Sequence, residues 1–186
     1  KELGVPVVRW PGGCFADVYH WRDGIGPQEK RPVRENKHWG GVEPNHFGTD
    51  EFLRWCKLVG CDSYINANLG TGTLDECLDW LNYCNTPNPR VEFWGIGNET
   101  FGKWEAGHKD AKTYATTLAK WASAVREKDA RVKIMGVGSM SADDSDWDRA
   151  VLERAGDDID FLTIHNYGIS TGEKADYEAF AFTPGY

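Results

Sequence analysis

The feature that most constrains this chain is an alternation repeated along its length. Short apolar runs rich in β-branched and aromatic residues (5–10, 62–69, 91–96, 132–137 and 159–164) take turns with longer runs of helical period. Phe52, Leu53, Cys56 and Val59 share one face of a helix predicted over 50–59. Leu74, Cys77, Leu78, Leu81 and Cys84 do the same over 73–84, and Thr73 with Glu76 has capping-box spacing at its start. Ala111, Tyr114, Ala115, Leu118, Ala122 and Val125 form the stripe of the longest helix, over 110–128, and Trp147, Val151 and Ala155 that of the last, over 146–155. Parallel neighbours need a long crossover between them, so five strands separated by helices imply an α/β fold with a parallel sheet. The 186 residues suit one domain, and no linker divides them.

Polar and aromatic residues gather just after the predicted strands. Arg9 and Trp10 close the first, Asn66 and Asn68 the second, Asn98 and Glu99 the third, and His165, Asn166 and Tyr167 the fifth. Parallel α/β folds build their sites at these C-terminal ends, where the loops converge on one face. Residues 11–48 make an unusually long connection, rich in Gly and Pro and dense in Trp and His, and loops of that length are generally functional. Nine Trp supply core area but also flat faces suited to sugar rings.

Composition removes several classes. A formal charge of −8 without a basic run is a poor match for phosphate backbones, so no nucleic-acid partner is expected. No stretch approaches the roughly 20 apolar residues that span a bilayer, so no membrane partner is expected either. The chain starts at Lys1 directly before a strand, without a leader-like segment, and reads as a piece whose start lies upstream. Cys14, Cys56, Cys61, Cys77 and Cys84 are odd in number and lack a Cys-x-x-Cys, which argues against a disulfide framework or zinc site and leans towards a cytoplasmic setting. No cofactor and no metal are expected. Gly70-Thr71-Gly72 and Gly136-Val137-Gly138 follow strands as in nucleotide-binding folds, but Asp75 and Ser141 stand where the fingerprint needs its third glycine.

The run Phe93-Trp94-Gly95-Ile96-Gly97-Asn98-Glu99 carries the chemistry. An apolar strand delivers a carboxyl to an apolar mouth, where loss of water favours the protonated form. Such a carboxyl can protonate a leaving glycosidic oxygen, and the amide beside it can bind a sugar hydroxyl. A helix or turn cap at the surface is the alternative reading of this pair.

Trp94-Gly95-Ile96-Gly97-Asn98-Glu99 resembles the acid/base signature of the glycoside hydrolases built on (β/α)8 barrels. Together with Arg9-Trp10-Pro11-Gly12-Gly13, Trp21-Arg22-Asp23-Gly24-Ile25-Gly26-Pro27, Asn68-Leu69-Gly70-Thr71-Gly72-Thr73 and His165-Asn166-Tyr167, it is similar to the α-L-arabinofuranosidases of glycoside hydrolase family 51, from about residue 5 to 167. The resemblance implies a partial TIM barrel covering about strands 2–6, and a retaining hydrolase that releases terminal α-L-arabinofuranosyl residues from plant cell-wall carbohydrate. It implies Glu99 as acid/base, Asn98 on the sugar 2-hydroxyl, Arg9 as electrostatic support, His165 and Tyr167 as orienting groups, and Trp39 against the substrate. Cys14 stands where many relatives carry Asn, and a thiol bonds a sugar hydroxyl less well. The segment between Cys84 and Val91 is shorter than is usual in the family. A family 51 endoglucanase and a non-catalytic sugar-binding barrel are the rival functions.

A retaining mechanism needs a second carboxyl, which in this family ends barrel strand 7. Glu105, Glu127, Glu153, Glu173 and Glu178 do not follow apolar strands, so none is assigned that role. Residues 1–186 are thus expected to be one incomplete catalytic barrel, inactive alone, without the family's C-terminal β-sandwich; the parent is compatible with a homo-oligomer.

Overall fold

The computed structural model describes residues 4–86, 91–139 and 145–165. Five parallel strands form the main sheet: β1 (Val7–Trp10), β4 (Asp62–Ala67), β5 (Phe93–Ile96), β6 (Lys133–Val137) and β7 (Phe161–Thr163). Between β1 and β4 lies a two-stranded antiparallel hairpin of β2 (Arg34–Glu35) and β3 (Val42–Glu43). The helices are α1 (Thr49–Val59), α2 (Leu74–Asn85), α3 (Ala111–Lys128) and α4 (Ser145–Ala155). The main strands neighbour one another in chain order, all parallel, with helices as crossovers. That is an α/β half-barrel, an open part of the TIM-barrel plan.

Local chemistry sets the helix ends. Asp110 accepts from the Thr113 N–H at 3.0 Å and caps α3, while Gly60, at φ 86°, closes α1 in the left-handed conformation that glycine adopts without strain. Thr73 caps α2 through the Glu76 N–H at 3.1 Å, but the box is half-built: the Glu76 carboxylate goes to His20 at 2.9 Å instead. At α1 the Glu51 carboxylate accepts from the Gly48 N–H at 2.9 Å.

The core lies between sheet and helices. Trp80, Trp94, Tyr114, Phe52, Ile65 and Leu118 are fully buried in it. Five of the nine tryptophans, at 21, 80, 94, 121 and 147, are buried, so core packing accounts for most of the tryptophan excess. Tyr114 bridges two strands: its hydroxyl donates to the Ile96 carbonyl at 2.8 Å and accepts from the Val137 N–H at 2.7 Å. This fixes the C-terminal ends of β5 and β6 against each other.

The long connection after β1 holds three short 3-10 turns and the hairpin. Arg31 ties it down. Its guanidinium meets the Glu51 carboxylate at 2.9 and 3.0 Å and the carbonyls of Gly26 and Asn45 at 2.8 Å each. Those bonds hold Glu51 well below the usual carboxylate range, at about 2.

Gly95 pairs with Asn66 across β4 and β5. A Cβ there would collide with Asn66 Oδ1 and the Tyr64 hydroxyl. Gly95→Ala is therefore expected to cost about 1–3 kcal/mol by overpacking, read as a lower urea midpoint at unchanged slope.

Candidate active site

The C-terminal ends of the strands carry the site. Arg9, near the end of β1, donates through Nη2 to Asn98 Oδ1 at 3.1 Å. Asn98 follows β5 after one residue, Gly97 at φ 87°. Glu99 comes next, at φ 36°, a left-handed backbone uncommon outside glycine. Such strain persists only where the surroundings enforce it, and it gathers at functional sites.

Glu99 is 7% exposed, and both carboxyl oxygens face donors. Oε2 accepts from the Trp104 indole N–H at 3.1 Å, and Oε1 lies 2.7 Å from His165 Nδ1. Nε2 of the same ring faces Arg9 Nη1 at a longer 3.5 Å. A guanidinium has only donors, so the nitrogen facing it must accept and the ring proton sits on Nδ1. With its proton on Nδ1 the ring donates to Glu99, and the Arg9 contact favours that arrangement.

Glu105 joins from the loop after Glu99. It is 4% exposed, and its Oε1 accepts from Asn98 Nδ2 at 2.8 Å. Two turn bonds carry the chain there: Gly102 N–H to the Glu99 carbonyl at 2.6 Å, and Glu105 N–H to the Gly102 carbonyl at 3.1 Å. The Cys14 sulfur and an oxygen each from Glu99 and Glu105 lie within 4.8 Å of one another. Among the described residues this is the group with metal-ligand chemistry. Yet burial, then the hydrogen bond and charge of Glu105, push the Cys14 thiol up to about 12. A protonated thiol is a poor metal ligand.

Asp17 lies behind Glu105, wholly buried, and neither carboxyl oxygen has a hydrogen-bond partner. Burial, then the charge of Glu105, raise it from 3.8 to about 7. A carboxyl raised on folding stabilises when protonated, so this contribution is complete below about pH 4 and lost as pH rises towards 7 and above. The rise corresponds to on the order of 4 kcal/mol. Asp17→Asn carries no charge to desolvate. Its unfolding free energy is expected to stay flatter between pH 4 and 7 and to exceed that of the parent at pH 8, as measured by urea titration.

Of the residues expected from sequence, Arg9, Asn98, Glu99 and His165 form one hydrogen-bonded chain, with Cys14 beside it. Trp39 stands apart. It is 74% exposed at the hairpin and lines a cavity of about 410 Å³ with Trp10, Gly12, Gly13 and Phe47. Tyr167 and Asn166 lie outside the described residues, as do Glu173 and Glu178. From sequence Glu105 is assigned no nucleophilic role, because it follows no strand, and Trp104 is not singled out. The structure sets the Glu105 carboxyl against Asn98 and the Trp104 indole against Glu99. The available signal was the run Glu99-Thr100-Phe101-Gly102-Lys103-Trp104-Glu105, whose glycine leaves the space that the Trp104 ring occupies.

Fold and geometry define a class: a parallel β/α half-barrel with two carboxyls, an arginine, an amide and an imidazole gathered at its strand ends. The chain belongs to the family described as Alpha-L-arabinofuranosidase 1 domain, whose profile matches residues 1–182. It is 42% identical over 170 residues to "Probable alpha-L-arabinofuranosidase C" of Aspergillus niger, covering 83% of this chain and 33% of that protein. It is 37% identical over 200 residues to "Intracellular exo-alpha-L-arabinofuranosidase" of Bacteroides ovatus, covering 97% and 38%. Among solved structures, an arabinose complex of the Thermotoga maritima alpha-L-arabinofuranosidase is 44% identical with a TM-score of 0.80, covering 86% of this chain and 36% of that one. The chain therefore spans between 33% and 38% of the length of these relatives. No helix among the described residues is long and apolar enough to cross a membrane.

Proposed function

We propose that this chain is the acid/base-bearing part, about strands 2–6, of the catalytic barrel of a retaining α-L-arabinofuranosidase acting on terminal arabinofuranosyl groups. The observation that carries the reading is Glu99. It sits at a strand end in a strained backbone, held by His165 and Trp104, beside the Arg9–Asn98 pair. In this role the Glu99 carboxyl gives its proton to the departing glycosidic oxygen and then takes one from the water that frees the sugar. His165 and Trp104 aim the carboxyl. Asn98, oriented by Arg9, presents its amide to the sugar 2-hydroxyl. Cys14 lines the same edge.

Retention needs a second carboxyl about 5–5.5 Å away, open to the sugar. Glu105 is near enough but is buried and already bonded to Asn98. The proposal therefore takes the nucleophile from outside the described residues and expects residues 1–186 alone to be inactive. The test is hydrolysis of 4-nitrophenyl α-L-arabinofuranoside by the full-length product that carries this segment, with a soluble β-glucan in parallel. Release of arabinose with its configuration retained supports the reading. Cleavage of the glucan without the arabinoside replaces it with an endoglucanase. Sugar binding without turnover replaces it with a lectin-like barrel. Glu99-dependent turnover by residues 1–186 alone overturns the external nucleophile.

A further inference from the structure

We propose that Glu105 is a positioning residue, which holds the Asn98 amide and the Cys14 side chain in register beside Glu99. For catalysis the proposal rests on the function proposed above; its structural part does not.

Glu105 lies where the loops after β1 and β5 approach each other, with Cys14 of the first within 4.8 Å and Asn98 of the second bonded to it. Asn98 is gripped from both sides: Arg9 donates to its Oδ1 at 3.1 Å, and its Nδ2 donates to Glu105 at 2.8 Å. A guanidinium on one side and a carboxylate on the other leave the amide a single orientation. The oxygen faces Arg9, one N–H faces Glu105, and the second N–H remains for a ligand. Without Glu105 the amide loses its buried acceptor and is free to rotate about its terminal torsion, which has broad preferences. The Cys14 sulfur lies within 4.8 Å of an oxygen of the same carboxyl, so one side chain faces both loops.

Two alternatives are separable. A nucleophile would need an oxygen open to a sugar carbon, whereas Glu105 is 4% exposed. A merely structural carboxylate would be a poor choice, because Asp17 lies behind it, buried and without hydrogen-bond partners. The pair of buried carboxyls is electrostatically costly, and the return is found at Asn98 and Cys14.

The experiment compares Glu105→Gln and Glu105→Ala in the full-length protein, with Glu99→Gln as reference. Glutamine keeps an acceptor for Asn98, so Glu105→Gln is expected to stay within about threefold of the parent in kcat/KM. Glu105→Ala is expected to lose about 10–100-fold, mainly in kcat, because bonds to the 2-hydroxyl strengthen in the transition state. The second readout needs no activity. Iodoacetamide labelling of Cys14 at pH 9, followed by peptide mass, is expected to run several-fold faster in Glu105→Gln, since removing the charge eases thiolate formation. A Glu105→Ala variant within twofold of the parent, while Glu99→Gln is inactive, overturns the inference and leaves the function standing. Glu105→Gln as inactive as Glu99→Gln makes Glu105 the nucleophile and also overturns it. Full activity in Glu99→Gln defeats the proposed function instead, and the labelling rate then decides the Cys14–Glu105 contact alone: an unchanged rate overturns it. Failure of Glu105→Ala to fold leaves the glutamine variant and the labelling to decide.

Discussion

Glu99→Gln in the full-length protein is expected to lower kcat/KM by about 10²–10⁴-fold on substrates with a poor leaving group. The substitution conserves volume, and the oxygen of the introduced amide still accepts from the Nδ1–H of His165. The amide nitrogen then faces the Trp104 indole N–H, donor against donor, so one bond of the present arrangement is lost. What disappears chemically is the dissociable proton. The loss must therefore scale with how much the departing oxygen needs that proton. An unactivated aryl or alkyl arabinofuranoside should suffer the full effect, whereas a dinitrophenyl arabinofuranoside, whose phenolate leaves unaided, should suffer much less in the first step. Steady-state kinetics on such a series, with a melting curve to show that the fold survives, measures this directly. Equal losses across the series mean that Glu99 does something other than proton transfer. Unchanged kinetics removes it from the reaction.

The parts of the molecule legible in the sequence are those fixed by local pattern. The helix predicted over 110–128 differs from α3 only in counting its cap Asp110 as the first residue, because the stripe from Ala111 to Val125 and the cap are both encoded within a few positions. The strand predicted over 62–69 stops at Ala67 in β4, since Asn68 turns its side chain to the loop and donates to the Tyr19 carbonyl at 3.0 Å. Arg9, Asn98, Glu99 and His165 were legible by position, as polar residues ending apolar strands. Glu105 was not. Its place depends on turn bonds, on a contact to Asn98 seven residues back and on Cys14 from another loop, and none of these leaves a period. The tryptophan count pointed two ways. Trp80 and Trp94 went to the core, and Trp104, half-exposed beside Glu99, went to the site. Composition alone has no means of separating them.

Trp80→Ala is expected to be the most damaging single change to the fold, at about 3–5 kcal/mol. Trp80, on α2, is 2% exposed and meets aromatic rings from three other parts of the chain. It lies parallel to Trp21 of the long loop at 6.2 Å, and edge-on to Trp10 of β1 at 5.8 Å and Trp94 of β5 at 5.9 Å. Its indole N–H donates to the Thr49 hydroxyl at the start of α1, 3.0 Å away and itself buried. Truncation leaves a cavity among these elements and removes the donor that Thr49 faces. Trp80→Phe keeps a ring and loses the hydrogen bond, so a smaller cost, roughly 1–3 kcal/mol, is expected. For a domain of this size Trp80→Ala corresponds to a melting temperature lower by roughly 6–20 °C, with Trp80→Phe between it and the parent. The consequence reaches the site as well. Trp10 follows Arg9, and Trp94 lies in the strand that delivers Asn98 and Glu99, so a shift of either ring moves a residue of the hydrogen-bonded chain. At temperatures where Trp80→Ala remains folded, kcat/KM should already be reduced. A variant that melts within about 2 °C of the parent, well short of the expected drop, would show that the aromatic cluster fills space without holding the strands, and that the strained backbone of Glu99 is held from elsewhere.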